Sequence, residues 1–149
     1  MSPRKPPLAG LRVIESSLLG PGAITLHLAD LGAEVVKVES PAGDYIREMT
    51  WPIVEGVSLL HLHVNRGKKS VVLDLRKPEA VEVYKDLVRG ADIVIEAMRP
   101  GSLERRGLGY DDLSQDNERL IELLSPTQPG TEAQKKSAPE ASRGGQRHE

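Results

Sequence analysis

Three cations within four residues, Arg66, Lys68 and Lys69, stand immediately before the apolar run VVLDL at 71–75. A second basic group, including Arg99 and Arg105, surrounds a Pro-Gly turn after the apolar run IVI at 93–95. In a parallel α/β sheet, ligands sit outside the carboxyl ends of the strands, where loops and helix N-termini meet. Cations and helix dipoles gathered there attract an anion, most naturally one that carries phosphates. Other residues with chemical potential are fewer. His61 and His63, in HLH, would share a face on a strand, but no third ligand is paired with them for a metal site. Asp44, Tyr45 and Arg47 form a polar loop near the side expected to meet a substrate. Gly20-Pro21-Gly22 before a helix, with Glu39 ending a strand, imitates a dinucleotide fingerprint. Thr25 occupies the third glycine position and Pro21 removes an amide, so GxGxxG is not satisfied and a tight βα turn is the simpler reading.

The elements that must position these groups follow from periodicity. LRVIE at 11–15 reads as a strand. Ile24, Leu28 and Leu31 recur at i, i+4 and i+7, one face of a helix over 23–31, and Gly32 suits a left-handed residue just past its end. EVVKVE at 34–39 is a second strand, closing a βαβ unit that is right-handed almost by rule. Residues 40–67 are irregular, and their apolar piece, 57–64, fits a helix or a strand. A strand at 71–75 leads to Pro78, which suits the first turn of a helix. Ala80, Val83, Tyr84 and Leu87 form that helix's inner stripe, and Gly90 ends it. A strand at 93–95 completes a second βαβ unit. Short helices are expected at 102–106 and 111–115, and a fifth strand at 120–124. The fold class is therefore α/β, an incomplete Rossmann-like parallel sheet with flanking helices. Residues 125–149 contain no Leu, Ile, Val, Met or aromatic side chain, so little burial offsets the entropy of ordering them. A disordered tail is expected there, after an α/β portion at 7–124.

Composition narrows the classes. A formal net charge of -2 on 149 residues argues against non-specific nucleic-acid binding. Cysteine is absent, which removes disulfides, thiolate nucleophiles and zinc-thiolate sites. No apolar run reaches the roughly 18 residues of a membrane span, and the N-terminus lacks the apolar stretch of a secretory signal; the expectation is cytoplasmic. Aromatics are only 3%, which leaves an aliphatic core and predicts modest stability for the chain alone.

Four pieces, PLAGLRVIE, GPGAITLHLADLGAEVVKVESPAGD, NRGKKSVVLDL and DIVIEAMRPGSLERRGLGYDDL, occur in this order from about residue 7 to 124. Together they resemble the family III coenzyme A (CoA) transferases of the CaiB/BaiF type, which include formyl- and carnitine-CoA transferases and 2-methylacyl-CoA racemases. The resemblance implies a Rossmann-like domain, intertwined homodimers in the full-length family, acyl-CoA and a carboxylic acid as substrates, and no tightly bound cofactor. It places CoA contacts at Leu18 and Leu19 after the first strand. It also places them at Leu73, Asp74, Leu75 and Arg76, where backbone groups would hold adenine and Arg76 reach phosphate. A third group is Ala97, Met98, Arg99 and Arg105, around a turn whose amides can face an anion.

The chain departs from the family pattern at several points. Ala97 stands where many members carry an asparagine after Glu96, and Ser40 where some carry an arginine. After 117–124 the sequence runs into SPTQPGTEAQ instead of a Gly-aromatic-Gly stretch leading to the catalytic aspartate. No aspartate here lies in that motif, so no catalytic residue is assigned. Transferase chemistry in the family implies a carboxylate that attacks the thioester and forms a mixed anhydride; the racemase branch implies an acid/base pair. The expected function is an N-terminal portion of a CoA-transferase that keeps part of the CoA site and is inactive alone. The alternatives are an acyl-CoA racemase lineage or a non-catalytic CoA-binding or interaction module.

Overall fold

The computed structural model describes residues 4–17 and 19–124. The chain builds β1 (Arg12–Ser16), α1 (Leu19–Asp30), β2 (Glu34–Glu39), a 3-10 turn (Tyr45–Arg47) and a small antiparallel hairpin of β3 (Pro52–Val54) and β4 (Val57–Ser58). It continues with α2 (Leu59–Asn65), β5 (Lys69–Val72), α3 (Pro78–Arg89), β6 (Ile93–Glu96), a second 3-10 turn (Glu104–Arg106), α4 (Tyr110–Asp116) and β7 (Ile121–Leu124). Five strands form one parallel sheet in the order β5-β2-β1-β6-β7. Counting only these strands, the order is 3-2-1-4-5, the doubly wound arrangement, and its direction reverses between β1 and β6.

Alternation along the central strands sorts the core into two faces. Ile14, Val36 and Val94 face α3 and α4, where Tyr84, Val88, Leu108 and Leu113 complete the larger core. Val13, Val35 and Ile95 face the other way, under Leu28 and Ala29 of α1. The helices thus cover both faces, as an all-parallel sheet requires. Gly32 leaves α1 at φ 98°, and a Cβ there would lie 2.3 Å from the Pro6 side chain. Its positive φ and this close approach both call for glycine.

Three expectations need correction. The strand read at 71–75 runs from Lys69 to Val72, because pairing with β2 begins at Val36↔Lys69 and ends at Glu39↔Val72. Residues 73–75 are therefore the loop leaving the sheet. Of the face read on α1, Leu28 packs on the core while Ile24 and Leu31 look outward, each 45% exposed; Gly22, Thr25 and Leu26 supply the rest of the docked side. On α3, Val83 is exposed while Tyr84 and Val88 are buried, so the inner stripe is rotated. The ambiguous segment at 57–64 divides into β4 and α2, with Ser58 capping the helix through its Oγ, which accepts from the His61 amide at 3.0 Å. The tail expected at 125–149 lies outside the described residues.

Candidate functional site

The switch point opens at the carboxyl ends of β1 and β6, between the residues after Ser16 and those after Glu96. A hollow of about 490 Å³ lies there, lined by Ser16 and Ser17 on one side and Ala97, Met98 and Arg99 on the other. Beside it, a hollow of about 300 Å³ is bordered by Leu73, Asp74, Leu75 and Arg76, with Met98 and Ser102 shared or facing. A wider, open hollow of about 780 Å³ continues past Leu75 and Arg76 to Arg105, Arg106 and Lys85. Successive hollows share lining residues, Met98 between the first two and Arg76 between the last two. Their path is one groove from the carboxyl rim onto the flank of α3, whose outer end carries Arg76, Lys85, Arg105 and Arg106 together with Glu79 and Glu82.

Eight of the ten residues named from the sequence border this groove: Leu73, Asp74, Leu75, Arg76, Ala97, Met98, Arg99 and Arg105. Leu19 opens α1, and Leu18 lies outside the described residues. The arginines differ in what they touch. Arg76 grips Asp74 through Nε at 2.7 Å and Nη2 at 2.9 Å. That fork holds the Asp74 carboxyl below its ordinary range. Among the described residues, neither Arg99 nor Arg105 is paired with a carboxylate. Arg106, not singled out from the sequence, donates to the Leu75 carbonyl at 3.1 Å and to the Ser102 hydroxyl at 3.1 Å. It ties the loops after β5 and β6 to each other.

The cation cluster at Arg66, Lys68 and Lys69 behaves otherwise than expected. It lies at the amino end of β5, whose first residue is Lys69, and each member is paired within the chain. Arg66 holds Asp30 at 2.6 Å, Lys69 holds Glu34, and Lys68 reaches the buried Glu15 at 2.8 Å. Their charge is spent in these pairs, and none of them borders the groove.

What sequence reading missed is a polar hub beneath the switch point. Glu15 and Lys37 are lateral neighbours in the sheet, fully enclosed on the α1 side. Lys37 Nζ donates to Glu15 Oε1 at 2.9 Å and to the Ser17 carbonyl at 2.7 Å, and faces Asp44 Oδ2 at 2.9 Å. Glu15 also accepts from Ser17 Oγ at 3.0 Å, Thr25 Oγ1 at 2.6 Å and Lys68 Nζ at 2.8 Å. Burial alone would push the Glu15 carboxyl up, but Lys37 and Lys68 override it and hold it down. Burial would also lower the Lys37 ammonium, yet Glu15 and Asp44 raise it. For Lys68 burial wins over Glu15, and its ammonium is lowered. The signal was present in RVIES and EVVKVE: a charged residue at an inward register position of an otherwise apolar strand.

The same packing settles the nearby motifs. Glu39 resists burial by accepting two bonds from Arg47, one from Ser70 and one from the Asp44 amide, and its carboxyl is held down to about 2. Both of its oxygens are therefore engaged inside the chain. Asp44 caps the first 3-10 turn, accepting from the Ile46 amide at 3.1 Å. Thr25, where a dinucleotide fingerprint needs glycine, is fully buried against Glu15. His61 and His63 lie two apart on α2 and so point to different sides. No group of three metal-ligating side chains occurs among the described residues. Beyond β6, Glu96 and Glu122 line a separate acidic hollow of about 390 Å³. Burial first, and neighbouring carboxylates second, hold Glu122 up; burial likewise raises Glu96 against the opposing bond from the Met98 amide.

Residues 8–141 match the model of CoA-transferase family III, and the chain belongs to that family. It is 45% identical over 120 residues to the succinyl-CoA–L-malate CoA-transferase beta subunit of Chloroflexus aurantiacus, covering 78% of this chain and 29% of that one. It is also 45% identical over 130 residues to the succinate–glutarate CoA-transferase of Agrobacterium fabrum, covering 81% and 32%. Among solved structures, a CAIB/BAIF family protein from Brucella suis superposes with a TM-score of 0.76 at 39% identity, over 81% of this chain and 33% of that one. Thus the chain spans about a third of the length of these relatives, at their N-terminal portion. No helix among the described residues is long and apolar enough to cross a membrane.

Proposed function

We propose that this chain supplies the CoA-binding side of a family III CoA-transferase, a cytoplasmic enzyme moving CoA between an acyl-CoA and a carboxylic acid. The observation that carries the reading is convergence: residues 73–76, 97–99 and Arg105, from separate loops, border one groove at the switch point. Its apolar stretch at Leu73, Leu75 and Met98 suits a stacked base. Its outer end suits phosphates through Arg105, which no carboxylate engages among the described residues, since a guanidinium fork matches phosphate geometry; Arg76 and Arg106 flank it, held by Asp74 and by the Leu75 carbonyl and Ser102 hydroxyl. Succinyl-CoA, which the name of the Chloroflexus relative contains, is the thioester to try first. The described residues are assigned no catalytic group, and on this reading they bind CoA without transferring it.

The test is a CoA titration of the chain, followed by thermal melting and amide shifts. Ligand at about ten times Kd stabilises by about 1.4 kcal/mol, a rise of several degrees for a domain of this size. Arg105→Ala should weaken CoA binding on the order of tenfold, the worth of one charge-assisted contact, without changing the melt of the free chain. An unchanged melt at millimolar CoA refutes the reading.

A second reading, an interaction module, is favoured by β7. It pairs only with β6 among the described strands, and Ile121 and Leu123 on it are 61% and 41% exposed. Such an edge is a template for another strand, including one from a second copy of the chain. Light scattering that gives a monomer at all concentrations counts against it.

A further inference from the structure

We propose that Lys37 is a positioning residue: its buried ammonium holds the Ser17 carbonyl and so fixes Ser17, just past β1, where it borders the hollow that receives a ligand at the switch point. The inference rests on the CoA reading only for the identity of that ligand. Lys37 sits in the middle of β2 with 2% of its side chain exposed. An apolar side chain there would hold the sheet as well, because buried ion pairs replaced by hydrophobic residues are often neutral or stabilising. Sheet stability therefore does not account for a lysine at this position.

What lysine does, and an apolar residue cannot, is tie three segments to one point. Its Nζ meets Glu15 at the end of β1, the Ser17 carbonyl in the following loop, and Asp44 in the loop after β2. Ser17, Lys37 and Asp44 all border the 490 Å³ hollow at the switch point. The start of α1 has its own anchor on Glu15. Lys68 Nζ bonds Glu15 and the Gly22 carbonyl at 2.9 Å, and Thr25 Oγ1 lies within bonding distance of both acceptors. A Cβ on Gly22 would come within 3.3 Å of Glu15 and 3.2 Å of Val64, so the first turn of α1 is pressed onto the hub. Ser17 and Gly22 are thereby both referred to one carboxylate, that of Glu15.

The deciding variant is Lys37→Met combined with Asp44→Asn. It removes one buried charge of each sign, leaves Glu15 facing Lys68, and keeps an acceptor for the Ile46 amide. With the unmodified chain as reference, the melting temperature should stay within a few degrees. Hydrogen exchange of a peptide covering 16–23 should accelerate about tenfold, one lost bond's worth, while the β6–β7 peptides keep their protection. CoA affinity should fall on the order of tenfold as well. Ser17→Ala removes only the Oγ bond to Glu15, scarcely threatens the fold, and should move exchange and affinity the same way by less.

Unchanged exchange at 16–23 in both variants overturns the proposal. So does faster exchange with unaltered CoA affinity, or a uniform rise in exchange across the sheet, which marks a purely structural residue. If the unmodified chain itself shows no response to CoA, the CoA reading fails instead, and local exchange alone decides on Lys37.

Discussion

Removing one guanidinium should change how the protein responds to acid. Arg47 donates from Nε and Nη2 to the two oxygens of Glu39, at 3.0 and 2.7 Å, and Glu39 has 2% of its side chain exposed. Burial pushes that carboxyl up, yet Arg47, Ser70 and the Asp44 amide together bring it from 4.5 to about 2. The gap corresponds to roughly 3 kcal/mol at neutral pH. Ser70 and the amide share it, and the Arg47 side chain is 30% exposed and partly screened; its own part is about 1–2 kcal/mol. Because the folded carboxyl is depressed, this stability is present in full above 4.5 and drains away as pH falls towards 2. Arg47→Ala should therefore lose about 1–2 kcal/mol at pH 7, while the difference from the unmodified chain narrows through the acid range. Urea unfolding at several pH values across that range measures both. Parallel stability curves for the two proteins, a constant offset down to the lowest pH, would refute the account of Glu39.

Tyr84 is fully buried, its Oη accepts from Ser16 Oγ at 3.0 Å, and burial pushes its phenol up to about 12. Stability should fall as pH rises past 10, where the unfolded phenol ionises first; Tyr84→Phe should flatten that alkaline loss in a melting series while costing about 1–2 kcal/mol at neutral pH for the orphaned Ser16 hydroxyl. Gly32→Ala forces a Cβ towards Pro6 at positive φ and should cost about 1–3 kcal/mol in urea. Gly20→Ala, with nothing within 4 Å of its Cβ and a place in α1, should instead be neutral or stabilising by about 0.5–1 kcal/mol; equal effects at the two sites would contradict the geometry.

Much of the site was legible because its residues are local in sequence. The runs LDLR and AMRPGSLER were picked out by the family resemblance, and each lies at or just past the end of an apolar run, where a parallel sheet receives ligands. Ends of elements were less legible. The strand VVLDL looks apolar through Leu75, but its partner β2 ends at Glu39, and hydrogen bonding stops with it. Arg66, Lys68 and Lys69 looked free because their partners, Asp30, Glu15 and Glu34, stand 53 residues away at most and 35 at least. No local pattern announces such pairings.

Residue order by itself determined the alternation of apolar strands and amphipathic helices, the resulting parallel α/β class, and the family to which the chain belongs. These are properties of neighbours along the chain, where side-chain period and turn chemistry act. Only the tertiary structure decided which cations are spent and which face the groove. It alone brought Glu15, Lys37, Asp44 and Lys68 together beneath the switch point. The reason is physical: an ion pair's worth depends on distance and burial, and both are set by the packing of segments that sequence keeps apart.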